Sequence, residues 1–289
     1  MPFVTISTPT YNRAYCIGRL YESLCRQTCK DFEWLIVDDG STDNTEELVK
    51  AWIAEKLIDI RYIKQHNGGK HRAINRGLDI AAGEYFYMVD SDDYVTDAAV
   101  AFIKDKAEDI RFTPGFAGIV GLDRTIDGKE LSGFPDVDHI DSTSIDICIK
   151  HHINGDKAEV VKTNVLRQFR FPEIEEERFC PEAIVWNRIA DAGLIFRYYP
   201  QVIKIIEYLP DGLTAKIIRI RANSPIVTTL YYSEYTRMPV PIAQRVKGAI
   251  NYWRFWFCKS SAKKPSLPIR WWWLFPVGLA MHINDLRKM

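Results

Sequence analysis

Hydrophobic and polar positions alternate in blocks along the first ninety residues. Residues 3–8, Phe-Val-Thr-Ile-Ser-Thr, are rich in β-branched side chains and predict a strand, stopped by Pro9 and followed by a loop through Asn12. Ile17, Leu20, Leu24 and Cys25 then recur at helical spacing within residues 13–28. A second strand over residues 32–37 ends in Asp38-Asp39-Gly40, and Ser41-Thr42-Asp43-Asn44 offers turn and N-cap chemistry for a helix carrying Leu48, Val49, Trp52 and Ile53. Residues 58–63 predict a third strand. Asn67-Gly68-Gly69 breaks the chain before a helix over about residues 70–82, and residues 85–89 predict a fourth strand that runs into Asp90-Ser91-Asp92-Asp93.

This alternation predicts an α/β fold with a doubly wound, mostly parallel sheet. Ligands of such sheets bind outside the carboxyl ends of the strands. Three polar clusters fall there: residues 8–13, 38–41 and 90–93. The second half is less regular, with strands expected at 116–122, 158–162 and 201–208 and a helix at 181–193. The simplest partition is one domain over residues 1–220, in halves 1–100 and 101–220, followed by a helical extension over 221–289.

With 289 residues, 47% of them hydrophobic, the chain can bury one large core. Its formal net charge of zero gives no field to attract nucleic acid. The charge is uneven, however. From residue 245 onward Arg245, Lys247, Arg254, Lys259, Lys263, Lys264, Arg270, Arg287 and Lys288 face a single acid, Asp285. Within that tail lie Trp271, Trp272, Trp273 and Phe275. The apolar stretch 269–283 is too short, and too interrupted by Pro276 and Gly278, to span a bilayer. Tryptophans among Lys and Arg are the pattern of an interfacial anchor, so a membrane surface is an expected partner. A tail packed on its own domain or on a partner subunit is the competing reading.

The six cysteines form no C-x-x-C pair, and Cys25 and Cys29, one helical turn apart, are expected to be buried thiols. The first residues lack the pattern of a signal peptide. The expected location is therefore the reducing cytoplasm, with peripheral placement at the inner face of a membrane. His151-His152 has no partner at ligand spacing and reads as a loop feature.

Asp90 and Asp92, one residue apart at a strand end, can meet one hard cation together with phosphate oxygens. Such a pair alone is also what a solvated acidic turn looks like; its place beside the other clusters favours the metal. In Asp38-Asp39-Gly40-Ser41 an Asp can accept from the N3–H of uracil while Gly40 allows close backbone approach. The same residues can serve as an N-cap box, and both readings hold together.

Thr8-Pro9-Thr10-Tyr11-Asn12-Arg13, Val37-Asp38-Asp39-Gly40-Ser41-Thr42-Asp43 and Asp90-Ser91-Asp92-Asp93 resemble, in order and spacing, the successive signatures of family 2 glycosyltransferases, which have the GT-A fold. The resemblance covers roughly residues 1–220 and is strongest over the first hundred. It implies inverting transfer from a UDP-sugar, with Mn²⁺ or Mg²⁺, to a hydroxyl of a saccharide or lipid-linked saccharide in cell-surface polysaccharide synthesis. Residues 1–100 become the nucleotide-sugar half and 101–220 the acceptor half. Pro9 and Tyr11 would line the base pocket, Asp39 would read uracil, Asp90 would approach ribose and metal, and Asp92 would ligate the metal. Thr8, Arg13, Asp38 and Ser91 complete the implied nucleotide-sugar site.

The family's N-x-G-x-x-x-A-R-N-x-G stretch is present as Asn67, Gly69, Ala73, Asn75 and Gly77, with Ile74 replacing the Arg. Lys70, His71 or Arg72, at a helix N-terminus that itself favours anions, are candidates to replace that cation; a solvated helix face is the alternative. For the base, the family's acidic pair six residues before an Arg matches Pro181-Glu182 and Arg188, which places Glu182 as acceptor of the hydroxyl proton. A first-turn Glu that only complements the helix dipole is the alternative. Glu173, Glu175, Glu176 and Glu177 read as a mobile acidic loop over the acceptor, and Trp186 as a sugar-stacking or a core residue. Two rivals are weaker. A nucleotidyltransferase needs a glycine-rich loop after its first strand, where this chain has no glycine before Gly18. A non-catalytic scaffold that only binds nucleotide sugar has no use for Asp92 and Glu182.

Overall fold

The computed structural model describes residues 1–207 and 216–287; Tyr208, the last residue of the strand expected at 201–208, and Lys288 lie outside them. The described residues fall into two compact units, 1–170 with 188–207 and 171–187 with 216–287.

In the first unit β1 (Val4–Thr10), β2 (Phe32–Asp38), β3 (Ile60–Lys64) and β4 (Tyr85–Met88) are parallel and linked by α1 (Gly18–Cys25), α2 (Thr45–Glu55) and α3 (Lys70–Ile80). β2 is buried along its whole length because both sheet faces are covered. Trp34 and Ile36 join Leu20, Leu24, Val49 and Trp52 on one face, whereas Leu35 and Val37 meet Ala73 of α3 on the other. That two-residue alternation is the strand period itself.

β1 does not stop at Pro9. It continues to Thr10, because β4 pairs only as far as Ser7 and beyond that point Pro9 has just one neighbouring strand, at Val37. The first helix is shorter than its apolar spacing suggested. Residues 13–17 form turns closed by the Arg13 carbonyl, so Cys25 ends α1, Cys29 lies beyond it, and both are half-buried.

The second half adds β5 (Tyr94–Val95), α4 (Ala99–Glu108), β6 (Phe116–Thr125), β7 (Ile140–Ser142), α5 (Asp146–Ile149), β8 (Lys157–Lys162), α6 (Thr163–Leu166), α7 (Ala183–Asp191) and β9 (Ile195–Ile206). β8 runs antiparallel to both β4 and β6, while β9 runs parallel to β6 and antiparallel to β5 and β7. The sheet order is β3-β2-β1-β4-β8-β6-β9-β5, with β7 on β9. β9 begins six residues before the strand read from the sequence. A register irregularity around exposed Pro200 and Gln201 breaks its alternation and hides its first half.

The second unit holds α8 (Ile217–Ala222), α9 (Pro225–Tyr235), α10 (Ile242–Trp256), a 3-10 helix (Ile269–Leu274) and α11 (Phe275–Leu286). Tyr252, Trp253, Leu267, Trp271 and Leu274 form its own core. α10 and α11 cross closely at Gly278, where a Cβ would lie 2.2 Å from that of Trp253, and Arg254 pairs with Asp285. Trp271 is therefore a core residue, whereas Trp272 and Trp273 are 55% and 66% exposed. No helix among the described residues is long and apolar enough to cross a membrane.

The segment 171–187 belongs to this unit, although the sequence grouped it with the acceptor half. One cause is Glu177, which is buried and accepts the backbone N–H groups of Ile226 (2.6 Å) and Val227 (2.8 Å) at the start of α9. It is a helix-terminus anchor, whereas Glu173, Glu175 and Glu176 are exposed.

Candidate active site

The polar clusters at the ends of β1, β2 and β4 are tied to one another by hydrogen bonds. After Thr10 the chain turns at Asn12, whose positive φ of 53° an Asn side chain tolerates. Asn12 N–H donates to Ser41 Oγ (2.8 Å), and its own Oδ1 accepts from Thr42 N–H (2.8 Å). The Asp39 N–H reaches the Thr10 carbonyl at 2.8 Å. Thr8 and Pro9 are buried within β1, with Thr8 Oγ1 accepting from Trp34 Nε1, while Tyr11 is 47% exposed. Arg13 bonds and overlies Tyr15.

Asp38 and Asp39 accept most of their hydrogen bonds from the neighbouring loops. Asp38 accepts from Ser41 N–H at 2.7 Å and Tyr62 Oη at 2.6 Å. Asp39 Oδ1 accepts from Gln65 Nε2 (2.8 Å) and Gly68 N–H (2.9 Å), and Oδ2 from Gly69 N–H (2.7 Å). Asn67 Nδ2 donates to the Asp39 carbonyl at 2.9 Å. The glycines serve this arrangement. Gly40, at φ 86°, leaves room for the Asn67 backbone, and Gly69, at φ 100°, turns the loop into α3. Lys70, the first residue of α3, reaches Asp90 Oδ2 at 2.6 Å. Asn75 is buried and its carbonyl accepts from Arg170; Ile74 is buried too, so α3 offers no cation where the family pattern has its Arg.

Asp90, Asp92 and Asp93 behave differently. Each offers a carboxylate oxygen, and the three lie within 4.8 Å of one another, with buried Ser91 between them. Burial works against the charge of Asp90, but Lys70 outweighs it and holds that carboxyl below its ordinary range. Burial, then the Asp90 carboxylate, pushes Asp92 up. Burial pushes Asp93 up to about 8, against the pull of Lys204. Three oxygens converging with two of the groups held toward their protonated form is a donor set suited to a hard divalent cation, which would reverse both shifts.

In the sequence Asp93 stands only as the last residue of its motif, and Lys204 belongs to no motif. Lys204 was visible as a lone charge in the apolar run Val202–Ile206, a placement that requires a buried partner. Glu182 lies half-buried just before α7, its carbonyl accepting from Val185 N–H, and Trp186 is buried. His151 and His152 are exposed and belong to no metal-holding cluster among the described residues.

Residues 5–114 match the family model described as "Glycosyl transferase family 2". The uncharacterized glycosyltransferase EpsJ of Bacillus subtilis is 39% identical over 108 residues, which is 37% of this chain and 31% of that protein. A GalNAc(5)-diNAcBac-PP-undecaprenol beta-1,3-glucosyltransferase of Campylobacter jejuni is 26% identical over 200 residues, 64% of this chain and 59% of the relative. This chain thus spans less than two thirds of the length of either curated relative. Among solved structures, S. aureus TarS 1-349 in complex with UDP-GlcNAc superposes with a TM-score of 0.58 at 19% identity, over 99% of this chain and 90% of TarS 1-349. At that identity it speaks for the fold alone, which is GT-A. By the matched segment, the relatives that share it and the sheet that presents its motifs, residues 5–114 are a family 2 glycosyltransferase segment.

Proposed function

We propose that this chain is an inverting hexosyltransferase that moves a sugar from a UDP-sugar to a hydroxyl of a saccharide or lipid-linked saccharide, in cell-surface polysaccharide synthesis. The observation that carries the reading is the convergence of Asp90, Asp92 and Asp93 at the end of β4, one ion pair away from the loop that Asp39 holds. Mn²⁺ or Mg²⁺, held by Asp90 and Asp92, would supply charge neutralisation to a departing diphosphate. Asp39 has used three of about four carboxylate acceptor positions, and the N3–H of uracil takes the last. Thr8, Pro9 and Tyr11 border the base, Arg13 and Lys70 face phosphate, and Asp38, Asn67, Gly69, Asn75 and Ser91 keep the loops in place. Glu182 takes the proton of the acceptor hydroxyl.

The UDP-GlcNAc of the TarS complex and the undecaprenol-linked acceptor in the C. jejuni relative's name support the donor and acceptor classes. The proposed partition keeps residues 1–220 as the catalytic domain and 221–289 as its extension. Exposed Trp272, Trp273 and Arg270 support the proposal that the acceptor is met at a membrane surface, taken to be its cytoplasmic face. A panel of UDP-, GDP- and dTDP-sugars incubated with the protein and Mn²⁺ tests the reading. Metal-dependent nucleotide release confined to UDP-sugars is expected. Release from GDP- or dTDP-sugars instead, or release unaffected by EDTA, overturns it.

A further inference from the structure

Behind the three aspartates lies a charged group that the proposed reaction does not use. Lys204, on β9, has a side chain only 12% exposed. Its Nζ stands 3.1 Å from Asp123 Oδ2 and 3.9 Å from Asp93 Oδ2. Asp123 and Lys204 are register partners across β6 and β9, and the Asp123 side chain is fully buried. β5, which follows Asp93 directly, pairs with β9 at the same place, Val95 opposite Lys204. The Glu207 N–H, three residues further along, points to Asp93 Oδ1 at 3.4 Å. The hydroxyl of Tyr87, buried on β4, has no hydrogen-bond partner among the described residues.

A largely buried pair of this kind is costly to build, and an apolar pair of similar size is often as stable or more so. Fold stability alone therefore does not account for Lys204. What the pair does achieve is a fixed cation on the inner side of Asp93. Asp93 is the one buried member of the three aspartates, and it faces the Lys204 side chain on β9 and the Glu207 N–H just past the end of that strand. Asp90 is held from the opposite end by Lys70. The turn between them carries Asp92.

We infer that Lys204, fixed by Asp123, is a positioning residue for the metal-binding turn: it holds Asp93 against β9 and thereby sets the spacing of Asp90 and Asp92. The inference rests on the reading of Asp90 and Asp92 as metal ligands. Groups behind the ligands of a metal site typically contribute about 10–100-fold to its affinity.

The test uses the full chain with Lys204→Met, Lys204→Arg and the charge-free pair Lys204→Met/Asp123→Asn. Three quantities are read: melting temperature, Mn²⁺ affinity by electron paramagnetic resonance in the presence of UDP, and UDP affinity in EDTA. Lys204→Met leaves Asp123 buried without its partner and is expected to melt early. The double variant removes both charges and is expected to melt near the wild type. It should bind UDP normally in EDTA, yet bind Mn²⁺ at least about 10-fold more weakly. Lys204→Arg, which keeps the charge, should recover part of that affinity. A folded double variant with wild-type Mn²⁺ affinity overturns the inference and leaves the pair purely structural. If the double variant does not fold, Lys204→Arg decides, because wild-type Mn²⁺ affinity with the longer, forked cation in place contradicts a spacing role. Wild-type protein that takes up no Mn²⁺ beside UDP refutes the metal reading itself, a separate failure.

Discussion

Two acidic clusters stand at neighbouring strand ends, and the protein treats them in opposite ways. Asp38 and Asp39, at the end of β2, receive five hydrogen bonds from their surroundings, three of them from backbone N–H groups. Asp90, Asp92 and Asp93, after β4, face one another, and two of the three are pushed up. The first cluster is largely satisfied by its own loops, with one acceptor position of Asp39 left over for a ligand. The second lacks sufficient positive charge and is arranged to receive some. Carboxylates that read alike in a sequence are thus separated by their donors: one cluster is held by hydrogen bonds from the protein, the other is crowded with like charge.

Substitution should separate the clusters most sharply at Asp92. Asp92→Asn removes one of the crowded charges, so the melting temperature should hold or rise slightly, while transfer falls about 10³-fold or more with loss of the cation's contribution of several kcal/mol. Steady-state kinetics and a thermal melt check both halves; a variant that loses stability and keeps activity would put Asp92 with the scaffold. Glu182 belongs to neither cluster and should give a third pattern. Glu182→Gln is expected to lower kcat by about 10²–10⁴-fold with UDP affinity and its metal dependence unchanged. Near-normal turnover passes the base to another carboxylate.

Asp39→Ala should show the reverse of Asp92→Asn. It strands the Gly68 and Gly69 N–H groups, at about 1–3 kcal/mol for a buried donor, and should lower the melting temperature by several degrees. Preference for UDP over a purine nucleotide should fall with it, as measured by competition binding. Unchanged preference confines Asp39 to the loop. The smallest effect is expected far from both clusters. Trp272→Ser/Trp273→Ser should leave melting and UDP release as they are but reduce sedimentation with anionic liposomes, since both rings are exposed. Equal sedimentation of variant and wild type removes those rings from any membrane contact.

The parallel half was legible because its signals are local. Strand runs, turn residues and the three polar clusters sit within a few positions of one another, and their order fixed the fold class. Asp90, Asp92 and the Asn67–Gly69 turn were readable for the same reason. What escaped depends on long-range pairing. Lys204 and Asp123 acquire meaning only when β9 is laid against β6, and Glu177 only when α9 is brought to it, 49 residues along the chain. Pro9 looked like a strand end because β4's shorter pairing could not be seen in advance. The tail tryptophans form one word in sequence, yet the 3-10 helix turns Trp271 into the core and leaves its two neighbours outside.

The central claim is that the aspartates after β4 form a nucleotide-linked cation site, and calorimetric titration of UDP tests it most directly. Wild type and Asp92→Asn are each titrated with Mn²⁺ and with EDTA. The account predicts UDP binding at least about 10-fold tighter with Mn²⁺ in the wild type, a difference of about 1.4 kcal/mol, and no such difference in the variant. Equal UDP affinity with and without Mn²⁺ in the wild type, or a metal effect that survives in Asp92→Asn, would contradict it.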